Sequence, residues 1–380
     1  MKQKNILKRP GVQSLLTSLL CIVLGLLIGY VVLLFINPAG AWGAITNVMK
    51  NFLTYSSANA RLKYLGNTLV RTAPLVMCSL SVLFAYKVGL FNIGAAGQYV
   101  AGACACLYAA LYLHWHWLPC MLLAIAAGAL LGVISGLLKS YFNVSEVISG
   151  IMLNWIALYT TNMILTNVKE TTSPYTYQMK SDGAQAILPS LGLGKLFSNN
   201  QYVTIAIPIA ILCAVVIWVI LSKTMFGYEL KATGNNPNAA KYCGMAEKRN
   251  IVLTLAIGGA LAGLGASLLF QTGYEQWQCT YSSVPAMGFN GIAAAFLGGL
   301  SPIGSIFASF FIQHITAGGA YVDKSLYCSQ ISDLISAIII YLCSFVLFFK
   351  TALNSWIARH EEKKARKAAA AAAKEGGGKA

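Results

Sequence analysis

The sequence predicts an all-α polytopic membrane protein of about ten transmembrane helices, and three observations carry that prediction. Apolar residues fill 57% of the 380 positions and charged residues only 10%, whereas a soluble domain carries about 25% charged and 45–50% apolar residues. Runs at 15–35, 121–138 and 331–349 reach or approach the ~20 apolar residues that cross a ~30 Å hydrocarbon layer. The excess of 27 Lys+Arg over 11 Asp+Glu, a formal charge of +16, gathers in alternate loops. A soluble enzyme is excluded, and the charge needs no nucleic acid to explain it.

The spans follow in order at 14–36, 65–86, 94–113, 117–138, 146–165, 203–222, 251–270, 286–299, 303–317 and 331–349. An even number puts both termini on one side, and basic residues favour the cytoplasmic loops. Nineteen of the 27 basic residues fall on the face of the termini, against seven on the other and Arg71 inside a span. Both termini are therefore expected in the cytoplasm. The first span exceeds the 7–15 apolar residues of a cleaved signal and is read as a true span. The ten Cys lack metal spacing and read as small buried hydrophobes; Cys279 and Cys328 alone fall in predicted outer loops, where a disulfide stays open. Residues 351–380 read as a basic, Ala-rich cytoplasmic tail.

Two words recur in the same order. Phe91-Asn92-Ile93-Gly94-Ala95-Ala96 opens the third span and Phe289-Asn290-Gly291-Ile292-Ala293-Ala294 the eighth. Ser145-Glu146-Val147-Ile148-Ser149 opens the fifth and Ser332-Asp333-Leu334-Ile335-Ser336 lies at the start of the tenth. Because the charge topology runs the paired spans in opposite directions, spans 2–5 against 7–10 read as an inverted repeat, an architecture common in transporters.

Polar residues within spans are costly and default to functional candidates. Asn92 and Asn290 stand where Gly-rich backbone interrupts the apolar pattern, and such a break must be satisfied within protein or a water-filled cavity. Glu146 and Asp333 follow N-cap-type Ser145 and Ser332, favourable at the positive end of a helix dipole; they either cap helices or mark the inner and outer mouths of a pathway. Gln98, Asn154, Trp155, Asn162 and Gln313 complete the candidates, with helix-to-helix bonding as the alternative for each amide. Gly128, Gly132, Gly136, Gly259 and Gly263 read as small faces for close helix packing. Arg71 either pairs with a pathway acid or snorkels outward. His114 and His116 beside Trp115 read as aromatic belt.

The loop at 223–250 is too polar for the bilayer yet fully punctuated for helices. Gly234 suits the residue after a helix end; Asn236 suits an N-cap, Pro237 the first helical position and Gly244 the next stop. A two-turn helix over 237–243 is expected. A helix so short is unstable alone, so a partner is expected to receive it.

With Glu229, Gly234, Asn236, Pro237, Ala239, Ala240 and Gly244 in order, this loop resembles the coupling loop of ATP-binding-cassette importer permeases. The stretch from Val88 through Asn92 to Gln98, the words around Glu146 and Asn154, and Gly288-Phe289-Asn290-Gly291 resemble the branch that imports nucleosides and is often labelled simple-sugar permeases. Ala96 and Asn290 depart from the acids usual there. The resemblance implies a permease domain over 1–350, in a bacterial cell membrane, with an outer loop at 166–202. That loop, with Tyr175, Tyr177 and the later Trp277, is a candidate surface for a binding protein. The implied pathway residues are Asn92, Gln98, Glu146, Asn154, Trp155, Asn290 and Asp333, and the implied coupling residues Glu229, Gly234, Asn236, Pro237, Ala240 and Gly244.

No cofactor is expected on this chain, since no Gly-x4-Gly-Lys-Ser/Thr phosphate loop occurs; ATP and Mg would sit on partner subunits. The implied partners are two cytoplasmic ATP-binding subunits, a second permease giving a heterodimer, an extracytoplasmic lipoprotein that binds the small-molecule solute, and the lipid bilayer. Nucleic acid is not among them. A simple sugar or branched-chain amino acid as solute, and a stand-alone ion-coupled transporter, are the alternatives.

Overall fold

The computed structural model describes residues 10–343 except Ser329, and scattered positions between 345 and 359. Of the predicted tail, only scattered positions up to 359 are among the described residues. Helices run α1 (Pro10–Ile36), α2 (Ala41–Lys50), α3 (Ala58–Lys87), α4 (Ala95–Leu111), α5 (Trp117–Phe142), α6 (Glu146–Leu165), the single turns α7 (Met179–Asp182) and α8 (Leu193–Leu196), α9 (Ala206–Lys223), α10 (Met225–Asn235), α11 (Pro237–Tyr242), α12 (Glu247–Phe270), α13 (Met287–Leu297), α14 (Pro302–Gly318) and α15 (Ile331–Cys343).

Each predicted span meets a helix. Among the described residues seven helices are long and apolar enough to cross a membrane, and α4 and α13 are apolar but shorter. At 1.5 Å per residue, the 11 residues of α13 cover only about 16 Å. Such a half-span is tolerable only where its ends are buried in protein. That is where it lies: a Cβ on Gly288, at the start of α13, would sit 2.4 Å from Ala96 Cα at the start of α4. The two short helices meet at their N-terminal ends.

Helix α3 forms the axis and is mostly enclosed; Leu75, Met77, Leu80, Leu83 and Phe84 are fully buried. It packs on α13 and α14, while α12 packs on α4 and α5. The first helix of each half thus lies against the second and third of the other, as the inverted repeat requires. The repeated Phe-Asn word is not equivalent in detail, however. Asn92 precedes α4, whereas Asn290 lies inside α13, because the second short helix starts earlier relative to its word.

The glycine faces do what small residues allow. Added Cβ atoms on Gly128, Gly132 and Gly263 would lie 2.3, 2.1 and 2.3 Å from carbonyl oxygens of Gly259, Leu255 and Ala124. No other residue lets α5 and α12 approach backbone to backbone. Helix α2 was not anticipated: at ten residues it is too short for a span. It turns Ala41, Ala44, Ile45 and Val48 inward and leaves Trp42 exposed.

Candidate functional site

The end of the bundle that carries α10 and α11 is built around the broken start of α4. Gly89 takes a positive φ of 79°, turning the chain after α3, and the backbone then runs irregularly to Ala95. Its freed groups are met by side chains. Asn154 of α6 accepts from Gly97 N (2.7 Å) and donates to Ile93 O (3.2 Å). Asn92 donates to Gln98 Oε1 (2.8 Å) and Ser81 Oγ (3.0 Å), and Gln98 donates back to Asn92 Oδ1 (3.2 Å). Asn92, Gln98 and Asn154 are all buried. These three predicted residues come together as a closed joint linking α3, α4 and α6.

Glu146 lies at the first position of α6, paired with Lys139 of α5 at 2.9 Å. Ser145 occupies the N-cap position but its hydroxyl makes no capping bond, so dipole and ion pair, not a cap, hold the acid. Asp333 is exposed in the first turn of α15; the Ser332 side chain lies outside the described residues. Trp155 is exposed, stacks near Tyr159 (centroids 6.0 Å) and borders a cavity of about 230 Å³ with Ile151, Asn154, Ser283, Val284 and Phe289. Asn290, half-buried, follows Phe289 in α13 but does not line that cavity.

The 223–250 loop folds as two helices. The Thr224 hydroxyl accepts from Gly227 N (3.1 Å) to cap α10, and Asn236 accepts from Ala239 N (3.1 Å) to cap α11, with Pro237 at its first position. The helix predicted over 237–243 is α11, and Gly244 follows it at φ 80°. Gly234 departs from expectation: it lies inside α10 rather than beyond its end. Its missing side chain serves contact, since a Cβ there would meet Val88 O at 2.2 Å. Leu230 and Ala240 are buried, and Asn250 donates to Thr233 Oγ1 (2.9 Å), anchoring α10 to α12. Glu229 is half-buried, while Tyr228 and Tyr242 stand out at 63% and 94% exposure. The pair of helices is thus held from beneath and bare on top.

Midway along α3, Arg71 Nη2 donates to Glu275 Oε1 of the segment after α12, settling the alternatives for Arg71 in favour of pairing. Sequence reasoning missed Glu275. The signal was available: a guanidinium inside a span needs an acid, and only 11 acidic residues exist. Trp277 is also corrected, being 1% exposed rather than a receiving surface; its indole donates to Asn162 Oδ1 (3.0 Å). Tyr175 and Tyr177 remain exposed. Cys279 and Cys328 are both free thiols, and burial pushes the Cys279 thiol up despite nearby Lys169. Among the described residues no three His, Cys, Asp or Glu side chains group as a metal site.

The family described as branched-chain amino acid transport system / permease component matches residues 64–344. The chain is 32% identical to the nucleoside ABC transporter permease protein NupB of Lactococcus lactis, over 87% of this chain and 90% of that one. It is 33% identical to the guanosine ABC transporter permease protein NupP of Bacillus subtilis, over 86% and 92%. The glucose ABC transporter permease protein TsgB13 of Haloferax volcanii is 28% identical over 88% of both. No solved structure matches the chain.

Proposed function

We propose that this chain, which belongs to the branched-chain amino acid transport system / permease component family, is the membrane-spanning subunit of an ATP-driven importer of nucleosides or related nucleobase-containing solutes. The observation that carries the solute is the similarity, across nearly the whole chain, to permeases named for nucleosides and guanosine. Lower identity to a glucose permease keeps a sugar as the competitor to be tested.

The sorting of basic residues supports placing α10 and α11 in the cytoplasm. There Tyr228 and Tyr242, with Glu229 beside them, offer a face to two ATP-binding subunits, which hold the ATP and Mg. A second permease completes the membrane core, and an extracytoplasmic binding protein delivers the solute. Closure of the ATP-binding subunits presses on α11 and α10. Gly234 bears on the turn at Val88 and Gly89, so the push enters the chain four residues before Asn92. The Asn92–Gln98–Asn154 joint passes it from the start of α4 to α6. The face of α6 that carries Trp155, opposite Phe289, then widens or narrows the pathway, with Glu146 and Asp333 towards its inner and outer mouths.

Uptake by cells carrying the whole transporter tests the solute. Labelled nucleoside should accumulate, an excess of unlabelled nucleoside should compete, and an excess of glucose should not. Accumulation of glucose alone would sink the nucleoside assignment.

A further inference from the structure

Arg71 stands near the midpoint of α3, a 30-residue helix long enough to cross the membrane with both ends protruding. A guanidinium at that depth must face protein or water, not lipid. Glu275 answers it from the segment between α12 and α13, yet the pair is not sealed. The two side chains keep 36% and 32% exposure, and Arg71 Nε is buried with no partner. A pair built only for packing would be enclosed and saturated.

Its surroundings are aromatic rings of intermediate burial. The Arg71 guanidinium lies 5.3 Å from the Tyr274 ring centre, and Tyr202 meets Tyr274 edge-on at 5.2 Å. Two turns along α3, on the same side as Arg71, Tyr64 stacks on Tyr55 at 4.4 Å with Tyr321 edge-on to both. Tyr64, Tyr274 and Tyr321 are only half-buried. The acid is also held in place: Gln276 bonds Glu170 and the Thr176 carbonyl, and Trp277 bonds Asn162. Glu275 therefore presents its carboxylate from a braced backbone.

We infer that Arg71 and Glu275, beside the Tyr274 ring, form a transit site that reads the base of a guanine-type purine nucleoside; this rests on the nucleoside-import function proposed above. The chemistry is a match of edges. A carboxylate accepts two N–H bonds and a guanidinium donates from a planar fork. Guanine carries an acceptor, O6, directly beside the donors N1–H and N2–H. Arg donates to guanine oxygen in known base recognition, and aromatic faces stack on any base. Adenine and uracil offer the carboxylate only one donor at a time on the equivalent edge.

The test uses the complete transporter in proteoliposomes, with its binding protein and ATP-binding subunits, and measures initial uptake of guanosine, adenosine and uridine. Glu275→Gln should lower guanosine uptake about ten-fold or more, the worth of a bidentate base contact, and uridine uptake far less. Tyr274→Leu should lower all three, since stacking ignores base identity. The exchange of charges in R71E/E275R restores an ion pair; it should return the protein to normal membrane levels without returning guanosine uptake. Recovery of guanosine uptake in the exchange variant would make the pair purely structural and overturn the site. Equal loss of all three nucleosides in Glu275→Gln, or none, overturns it too. If Glu275→Gln fails to reach the membrane, Glu275→Asp, which keeps the charge but withdraws it, should show the same preferential guanosine loss. No nucleoside uptake by the unaltered transporter would instead overturn the import function itself.

Discussion

Around the start of α4, every predicted amide has its partner: Asn92 with Gln98 and Ser81, Asn154 with the backbone of Gly97 and Ile93. Around the middle of α3, Arg71 and Glu275 hold each other but stay a third open, among half-buried rings. Both regions place polar atoms inside a membrane bundle, where unmet groups are expensive. In the first, polarity repairs a broken helix and is used up in doing so. In the second, polarity is left over. In this chain the two regions differ in what remains unsatisfied: the amides at the start of α4 are paired and buried, while the Arg71–Glu275 pair keeps exposure.

The sharpest way to break that contrast is to change Asn154 to Leu. Gly97 N–H and Ile93 C=O would both lose their partner in a buried place, at about 1–3 kcal/mol each. Unfolding of the purified protein in detergent should register a loss of about 2–6 kcal/mol; wild-type stability would mean that Asn154 is no part of a joint. Gly234→Val comes next. Its side chain has no room beside Val88 O, so α10 must lift away, at about 1–3 kcal/mol. ATP hydrolysis should continue while uptake falls, and tight coupling in this variant would disconnect the loop from the joint.

Glu275→Gln should cost less stability than Asn154→Leu, because the pair is part-exposed and the amide oxygen can still accept from Arg71. A destabilisation equal to that of Asn154→Leu would erase the distinction between the two regions. The smallest effect belongs to Asp323, in the loop before α15. Its carboxylate accepts from Ser325 Oγ (2.7 Å) and N (2.9 Å), which hold it below the usual carboxylate range. With the folded pKa depressed, its contribution is complete above the unfolded value of about 3.9 and disappears as pH falls below that through the folded value. The protection of the Ser325 amide relative to its intrinsic exchange rate should fall on acidification in the parent and stay constant with pH in Asp323→Asn.

How much could be read beforehand follows the range of the forces involved. The caps of α11 lie within a few residues of what they cap, so Asn236, Pro237 and Gly244 announce themselves along the chain. Gly234 misled because a helix stop and a close contact both demand a missing side chain. Only the packing of α10 on Val88 tells them apart. Asn92, Gln98 and Asn154 were recognisable as costly amides, but not as partners. Trp277 carried no local mark of burial, since its partner Asn162 lies 115 residues away.

The sequence alone determined the membrane environment, the positions of the spans, the basic asymmetry of the loops and the small helix-forming faces of α5. These depend on composition and on periods of a few residues. The tertiary structure decided which polar groups are consumed and which stay open. Arg71 and Glu275 stand 204 positions apart, and no local rule pairs them. Their meeting requires α12 to pack against α3 and the segment after α12 to be pinned by Thr176 and Asn162. A charge inside a span states a need; only the folded bundle supplies the acid that meets it and the rings that surround both.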